Sequence, residues 1–283
     1  MTELAQPMAR QVTRSGRDLP VASAVGIALL AGVGLSLFIR KEAFVAVAIV
    51  AVGACLWELA QAFGRRGIQL PLLPLLVGAV GILVSAYVAG SEALLVSFML
   101  TAGGVVVWRV LDGNGPAALR DATAGIFAAA YLPFLAGFVM LTLSMPDGAR
   151  RVLLFVLLAV ASDVGGYAAG VLMGKHPLAP SVSPKKTWEG LAGSIVLSGV
   201  VGAVGIGWGF GASPWIGVGL GLATVTTATI GDLSESLIKR DLELKDMGSL
   251  LPGHGGVLDR LDSMLLTAPV VYLVLLAFLP VGD

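Results

Sequence analysis

The sequence predicts an all-α, polytopic integral membrane protein, and three observations carry that prediction. Of its 283 residues, 57% are hydrophobic and only 13% charged, with a mean hydropathy of +0.91, too little polar surface for a water-soluble globule. Long charge-free stretches recur at the length needed to cross hydrocarbon about 30 Å thick, roughly 20 residues rising about 1.5 Å each. Although the net charge is zero, lysines and arginines cluster in the short connections between those stretches.

Nine membrane helices are expected, at about residues 20–38, 43–60, 71–89, 91–109, 119–143, 151–173, 187–210, 214–235 and 257–280. The first follows Arg10, Arg14 and Arg17, as a signal peptide would. Its apolar run is too long for such a peptide and no soluble domain follows, so it is expected to stay as an anchor. With a cytoplasmic N-terminus, fourteen of the 18 lysines and arginines fall inside, and only Arg40, Lys41, Arg150 and Arg151 fall outside. The positive-inside rule then places the C-terminus outside. The single cysteine, Cys55, lies in an apolar run, so no intrachain disulfide forms and a core or lipid-facing position is expected.

Residues 1–150 read as a transmembrane scaffold and residues 151–283 as a catalytic region. In the first part, "WELAQAFGRRG" (57–67) puts Glu58 near a helix end beside Arg65 and Arg66, where it reads as a membrane-edge acid next to a positive-inside anchor. The second part is richer in acids that are costly to keep in lipid and therefore face water or a partner. Asp232 interrupts an uncharged Gly/Thr run near the end of the eighth helix. Asp259 and Asp262 open the ninth at i and i+3, which puts both on one helix face. Helix capping accounts for one of these two acids. The three together suit a hard divalent cation, for which oxygen ligands are the natural choice. Asp163, about halfway along the sixth helix, fits a buried polar pair or a substrate contact equally well.

The bases Lys185, Lys186, Lys239, Arg240 and Lys245 surround these acids and suit a polyanion bridged by metal, although topology alone also places bases here. "LPGHGG" (251–256) combines Pro252 with Gly253, Gly255 and Gly256, so backbone amides can approach phosphate closely; it is not a GxxxxGK[ST] loop. His254 is open between a phosphate donor, a supporting contact and a loop hydrogen bond. "GVGLG" (217–221) lies inside an apolar helix and reads as small-residue helix packing, as does "GYAAG" (166–170).

"SLIKRDLELKDMGSLLPGHGGVLDRLDS" (236–263) resembles the signature of the phosphatidate cytidylyltransferases, or CDP-diacylglycerol synthases. The matching positions include Ser236, Lys239, Arg240, Lys245, Asp246, Gly248, His254, Gly255, Gly256, Asp259, Arg260 and Asp262. "SPKKTWEG" (183–190), with Ser183, and "GDLSES" (231–236) are similar to upstream motifs of that family. The resemblance implies transfer of the cytidylyl group of CTP to phosphatidate, with Mg²⁺ held by Asp232 and Asp259 and with Asp262 and Asp246 close by. It also implies a polytopic helical fold; with the positive-inside distribution, the active site is expected on the cytoplasmic side of a bacterial inner membrane. Some family members pair Mg²⁺ with a monovalent cation such as K⁺, and a homodimer is suggested by the resemblance alone. No nucleic-acid partner is expected.

Two other classes fit less well. A secondary transporter would show paired repeats and acids at the membrane midplane; here the halves show no repeat and the charges crowd one face. The other is a different membrane lipid enzyme, a CTP-dependent lipid kinase or a CDP-alcohol phosphotransferase; the latter would carry DGxxAR, whereas "LDGNGPAALRD" has Asp112, Gly113 and Arg120 at the wrong spacing.

Overall fold

The computed structural model describes residues 31–112, 115–251 and 255–279. Residues 31–39 are helical, the end of the first expected span; the remainder of that span lies outside the described residues. There follow α1 (Lys41–Gly64), α2 (Leu72–Asp112), α3 (Ala118–Ala129), a π-helical turn (Ala130–Phe134), α4 (Leu135–Ser144) and α5 (Gly148–Met173). A two-stranded antiparallel hairpin, β1 (Pro177–Ala179) and β2 (Ser183–Thr187), precedes α6 (Trp188–Gly209), α7 (Pro214–Asp241) and α8 (Leu258–Phe278). Among the described residues seven helical segments are long and apolar enough to cross a membrane, so the chain is an all-α membrane protein apart from the hairpin.

The longest segment, α2, contains two of the expected helices. Its 41 residues would reach about 60 Å, twice a hydrocarbon core. It breaks at Gly90, whose φ of +84° is readily reached only without a side chain. The halves fold back on each other: Ser85 and Ser97 Oγ are 2.7 Å apart, and a methyl at Gly78 would strike Thr101. The expected helix at 119–143 is likewise interrupted. Pro133 has no N–H to continue the α-helical ladder, and the chain makes a π-turn there before resuming as α4.

Contacts between connections show which helix ends lie together. At one end the Arg109 guanidinium donates to the Gln69 carbonyl and Arg120 to that of Gly67, Arg66 meets Glu243 at 2.8 Å, and Arg240 reaches Val182 O at 3.2 Å. At the other, Lys41 donates to Met145 O, the Tyr87 hydroxyl to Glu42 at 3.2 Å, and Arg151 to Leu279 O at 2.7 Å. This is the segregation expected from alternating spans.

Two buried clusters hold the bundle. One joins α1–α4 to Leu242, Met247, Leu258 and Leu265, so the connection after α7 and the start of α8 pack on the N-terminal helices; Cys55 is buried there. The other joins α5–α8 around Leu158, Ile206, Leu220 and Val271. Within it, α6 and α7 cross at Gly202 and Gly217, where a methyl on either would strike the other's carbonyl. Gly217 and Gly221 of the 217–221 run therefore serve helix packing. Trp208 and Trp215, 91% and 80% exposed at the α6–α7 turn, suit the membrane–water boundary at the end away from the hairpin.

Candidate active site

The eighth expected helix runs further than expected: α7 continues nine residues past Asp232 to Asp241. Asp232, Glu235, Ser236 and Lys239 therefore sit at i, i+3, i+4 and i+7 on one helical face. Together with Asp259, Arg260, Asp262 and Ser263 of α8, Asp163 of α5 and Lys186 of β2, they line one cavity. Asp163 thus belongs with the other acids.

The lysines divide the acids between them. Lys186 Nζ contacts Asp232, and Lys239 Nζ contacts Glu235 and lies 3.0 Å from Asp259. Asp259 also accepts backbone N–H groups from Met247 at 3.1 Å and Gly256 at 2.8 Å, which fixes its carboxylate from three directions. Asp262 takes the Ser263 N–H at 2.7 Å and lines the same cavity as Glu235. Glu235 is 1% exposed, and its Oε1 has no hydrogen-bond partner.

That orphaned oxygen, in a cavity with four aspartates, is a donor set suited to a hard divalent cation. The set is not preassembled: among the described residues no three such side chains are gathered closely enough to hold an ion. Asp232 and Asp259 instead each face a lysine.

Several expected site residues lie elsewhere. Arg240 is exposed and holds Val182 O, because it follows Lys239 and so points about 100° around the helix from it. Lys245 and Asp246 are exposed in the following connection, with the Asp246 side chain near Gly255. Ser183 begins β2 without lining the cavity. Lys185 lines an adjacent groove along α5 and α6, which shares Asp163, Lys186 and Asp232 and adds Tyr167, Thr187 and Ser194. Gly255 and Gly256 pass beside the Asp259 carboxylate. Pro252, Gly253 and His254 lie outside the described residues.

Two acids were missed or misread in the sequence. Glu235 carried a usable signal, its i+3 spacing from Asp232. Glu58 is not a membrane-edge acid: it is 1% exposed and accepts the Leu258 N–H at 3.0 Å from 200 residues away.

A profile of the cytidylyltransferase family matches residues 21–278. The chain is 38% identical over 281 residues to the phosphatidate cytidylyltransferase of Mycobacterium leprae, covering 94% of this chain and 90% of that protein. It is 37% identical over 287 residues to that of Mycobacterium tuberculosis, covering 95% and 86%. A shorter match, 44% over 144 residues, links it to the Helicobacter pylori enzyme of the same name, with 49% and 53% covered. With its acids and bases gathered at one end of a helical membrane bundle and its length matched almost throughout, the chain belongs to the cytidylyltransferase family.

Proposed function

We propose that this protein is a phosphatidate cytidylyltransferase, converting CTP and phosphatidate to CDP-diacylglycerol and pyrophosphate for phospholipid synthesis. The observation that carries this reading is the cavity between α7 and α8, where five carboxylates and three bases meet at one end of the bundle. Relatives matched over most of their length bear that enzyme's name.

The chemistry needs no protein nucleophile or general base. Phosphatidate ends in a phosphate monoester whose second pKa is about 6, so at neutral pH it is largely a dianion. One of its oxygens forms a bond to the α-phosphorus of CTP while the bond from that phosphorus to the β-phosphate bridge breaks, and pyrophosphate departs. The barrier is the approach of two anions. Lys186, Lys239 and Arg260 neutralise and orient the phosphates, and Asp259, held by two backbone amides, anchors Lys239. Asp232, Asp259 and Asp262 would hold Mg²⁺, with Glu235 offering a further oxygen, and the ion would supply charge neutralisation at the transferring phosphate. A monovalent cation such as K⁺ is a second candidate ion.

The catalytic groups belong to residues 151–283, on the scaffold of residues 1–150. With the two halves of α2 counted separately and the first expected span included, the reading has nine crossings; the distribution of lysine and arginine supports a cytoplasmic N-terminus and a site facing the cytoplasm of the bacterial inner membrane, where CTP is available. A homodimer is part of this reading, supported by the resemblance to the family alone. The test is purified protein with labelled CTP and phosphatidate, with and without Mg²⁺. CDP-diacylglycerol and pyrophosphate should form only with the ion; product formation unaffected by chelation would reject the metal assignment, and no CDP-lipid under any condition would reject the function.

A further inference from the structure

We propose that Glu58 is a positioning residue, which from α1 caps the N-terminus of α8 and sets the loop whose amides hold Asp259. The inference rests on the reading of Asp259 as a site residue.

Leu258 is the first residue of α8, and its N–H is one of the donors that a helix start leaves without an intrahelical partner. Val257, at the N-cap position, supplies no side-chain cap. The Glu58 carboxylate does so instead, its Oε2 accepting from Leu258 N at 3.0 Å. The contact joins the N-terminal bundle to the helix that carries Asp259 and Asp262.

The same carboxylate shapes the loop before the helix. A methyl at Gly248 would strike Glu58 Oε1, and one at Gly256 would lie 2.6 Å from Glu58 Oε2 and 2.9 Å from Asp259 Oδ2. Neither glycine has a positive φ, so close packing and not backbone conformation favours glycine there: Glu58 fills the space beside Gly248, and Glu58, Asp259 and the Gly248 backbone together fill that beside Gly256. Met247 and Gly256, neighbours of these contacts, are the two residues whose N–H groups hold Asp259. Glu58 does not line the cavity and is buried. Its effect on the reaction therefore passes through the placement of the loop and of Asp259.

The experiment compares Glu58→Ala, Glu58→Gln, Gly248→Ala and Asp259→Asn with the unmodified full-length protein, reading CDP-lipid formation, its dependence on Mg²⁺ concentration, and hydrogen exchange of peptides spanning 246–262. Glu58→Ala should lose at least about 10-fold in activity, require more Mg²⁺, and exchange faster in that segment while peptides of α5 exchange as before. Glu58→Gln, which keeps an oxygen for Leu258 N–H, should recover activity to within about 3-fold and restore protection. Gly248→Ala pushes on the same carboxylate from the other side and should reproduce the Glu58→Ala signature, which keeps the test sharp if Glu58→Ala does not fold. Unchanged exchange and activity in either alanine variant would overturn the proposal. So would exchange that rises equally throughout the chain, or a Gln variant as defective as Ala. If Asp259→Asn alone is fully active, the site reading fails, and the capping role stands or falls on the exchange data.

Discussion

Replacing Lys239 with Met tests whether the acid cluster depends on its lysine. Lys239 Nζ bridges Glu235 and Asp259, whose side chains are 1% and 7% exposed, and its own side chain is 18% exposed. Met preserves most of the apolar stem, so the loss is the ammonium and its two charged hydrogen bonds. Such bonds contribute about 1.5–3 kcal/mol each, and removing one member of a buried ion pair costs about 3–5 kcal/mol because the partner charge is stranded. The partial exposure of the Lys239 side chain puts the expected loss toward the lower value, about 3 kcal/mol. Adding Glu235→Gln removes one stranded charge and should return about 1–2 kcal/mol of it. Equilibrium unfolding in detergent measures both changes, and CDP-lipid formation should be low in both variants. A Lys239→Met protein within about 1 kcal/mol of the parent would refute the idea that this lysine neutralises buried charge.

Asp232→Asn keeps the shape of the side chain but removes its charge, and should leave a folded protein whose CDP-lipid formation falls by about 100-fold or more, measured with labelled CTP. Near-normal turnover would reduce Asp232 to an ion-pair partner of Lys186. For topology, cysteines at the exposed positions Ser249 and Ser144, in a Cys55→Ala background, should react with impermeant reagent from the cytoplasmic and outer sides respectively. Labelling of the Ser249 position from outside intact cells would invert the orientation. Gly217→Val should force α6 and α7 apart at Gly202 and lower the unfolding temperature in detergent, whereas Val at Gly219, where no atom lies within 4 Å, should have little effect; equal effects at both positions would count against the crossing.

Membrane character, the approximate places of the described spans and the acids of α7 and α8 were legible in the sequence because each rests on short-range physics. A charge in an apolar run is conspicuous, and two acids at i and i+3 must share a helix face. Even Gly90 stood where one expected helix stopped and the next began. The reach of α7 was less legible: its polar end looked like a connection, yet Glu235 and Lys239 pair at i and i+4 and extend the helix to Asp241. Arg240 looked interchangeable with Lys239 in the chain, but one helical step turns it away to the hairpin.

The sequence by itself determined which residue types would be collected and on which local faces, since helical periodicity and the cost of charge in hydrocarbon act within a few turns. Only the tertiary structure decided the partners: Lys186 for Asp232, Lys239 shared between Glu235 and Asp259, and Glu58 for the start of α8. These contacts join segments 20 to 200 residues apart, with the i,i+4 Glu235–Lys239 pair the one local exception. Nothing in the local pattern around Glu58 encodes that two glycines near residue 250 leave room for its carboxylate. That fit exists because α1, the loop and α8 pack into one buried cluster, where a polar group must find its hydrogen bond wherever the chain brings a donor.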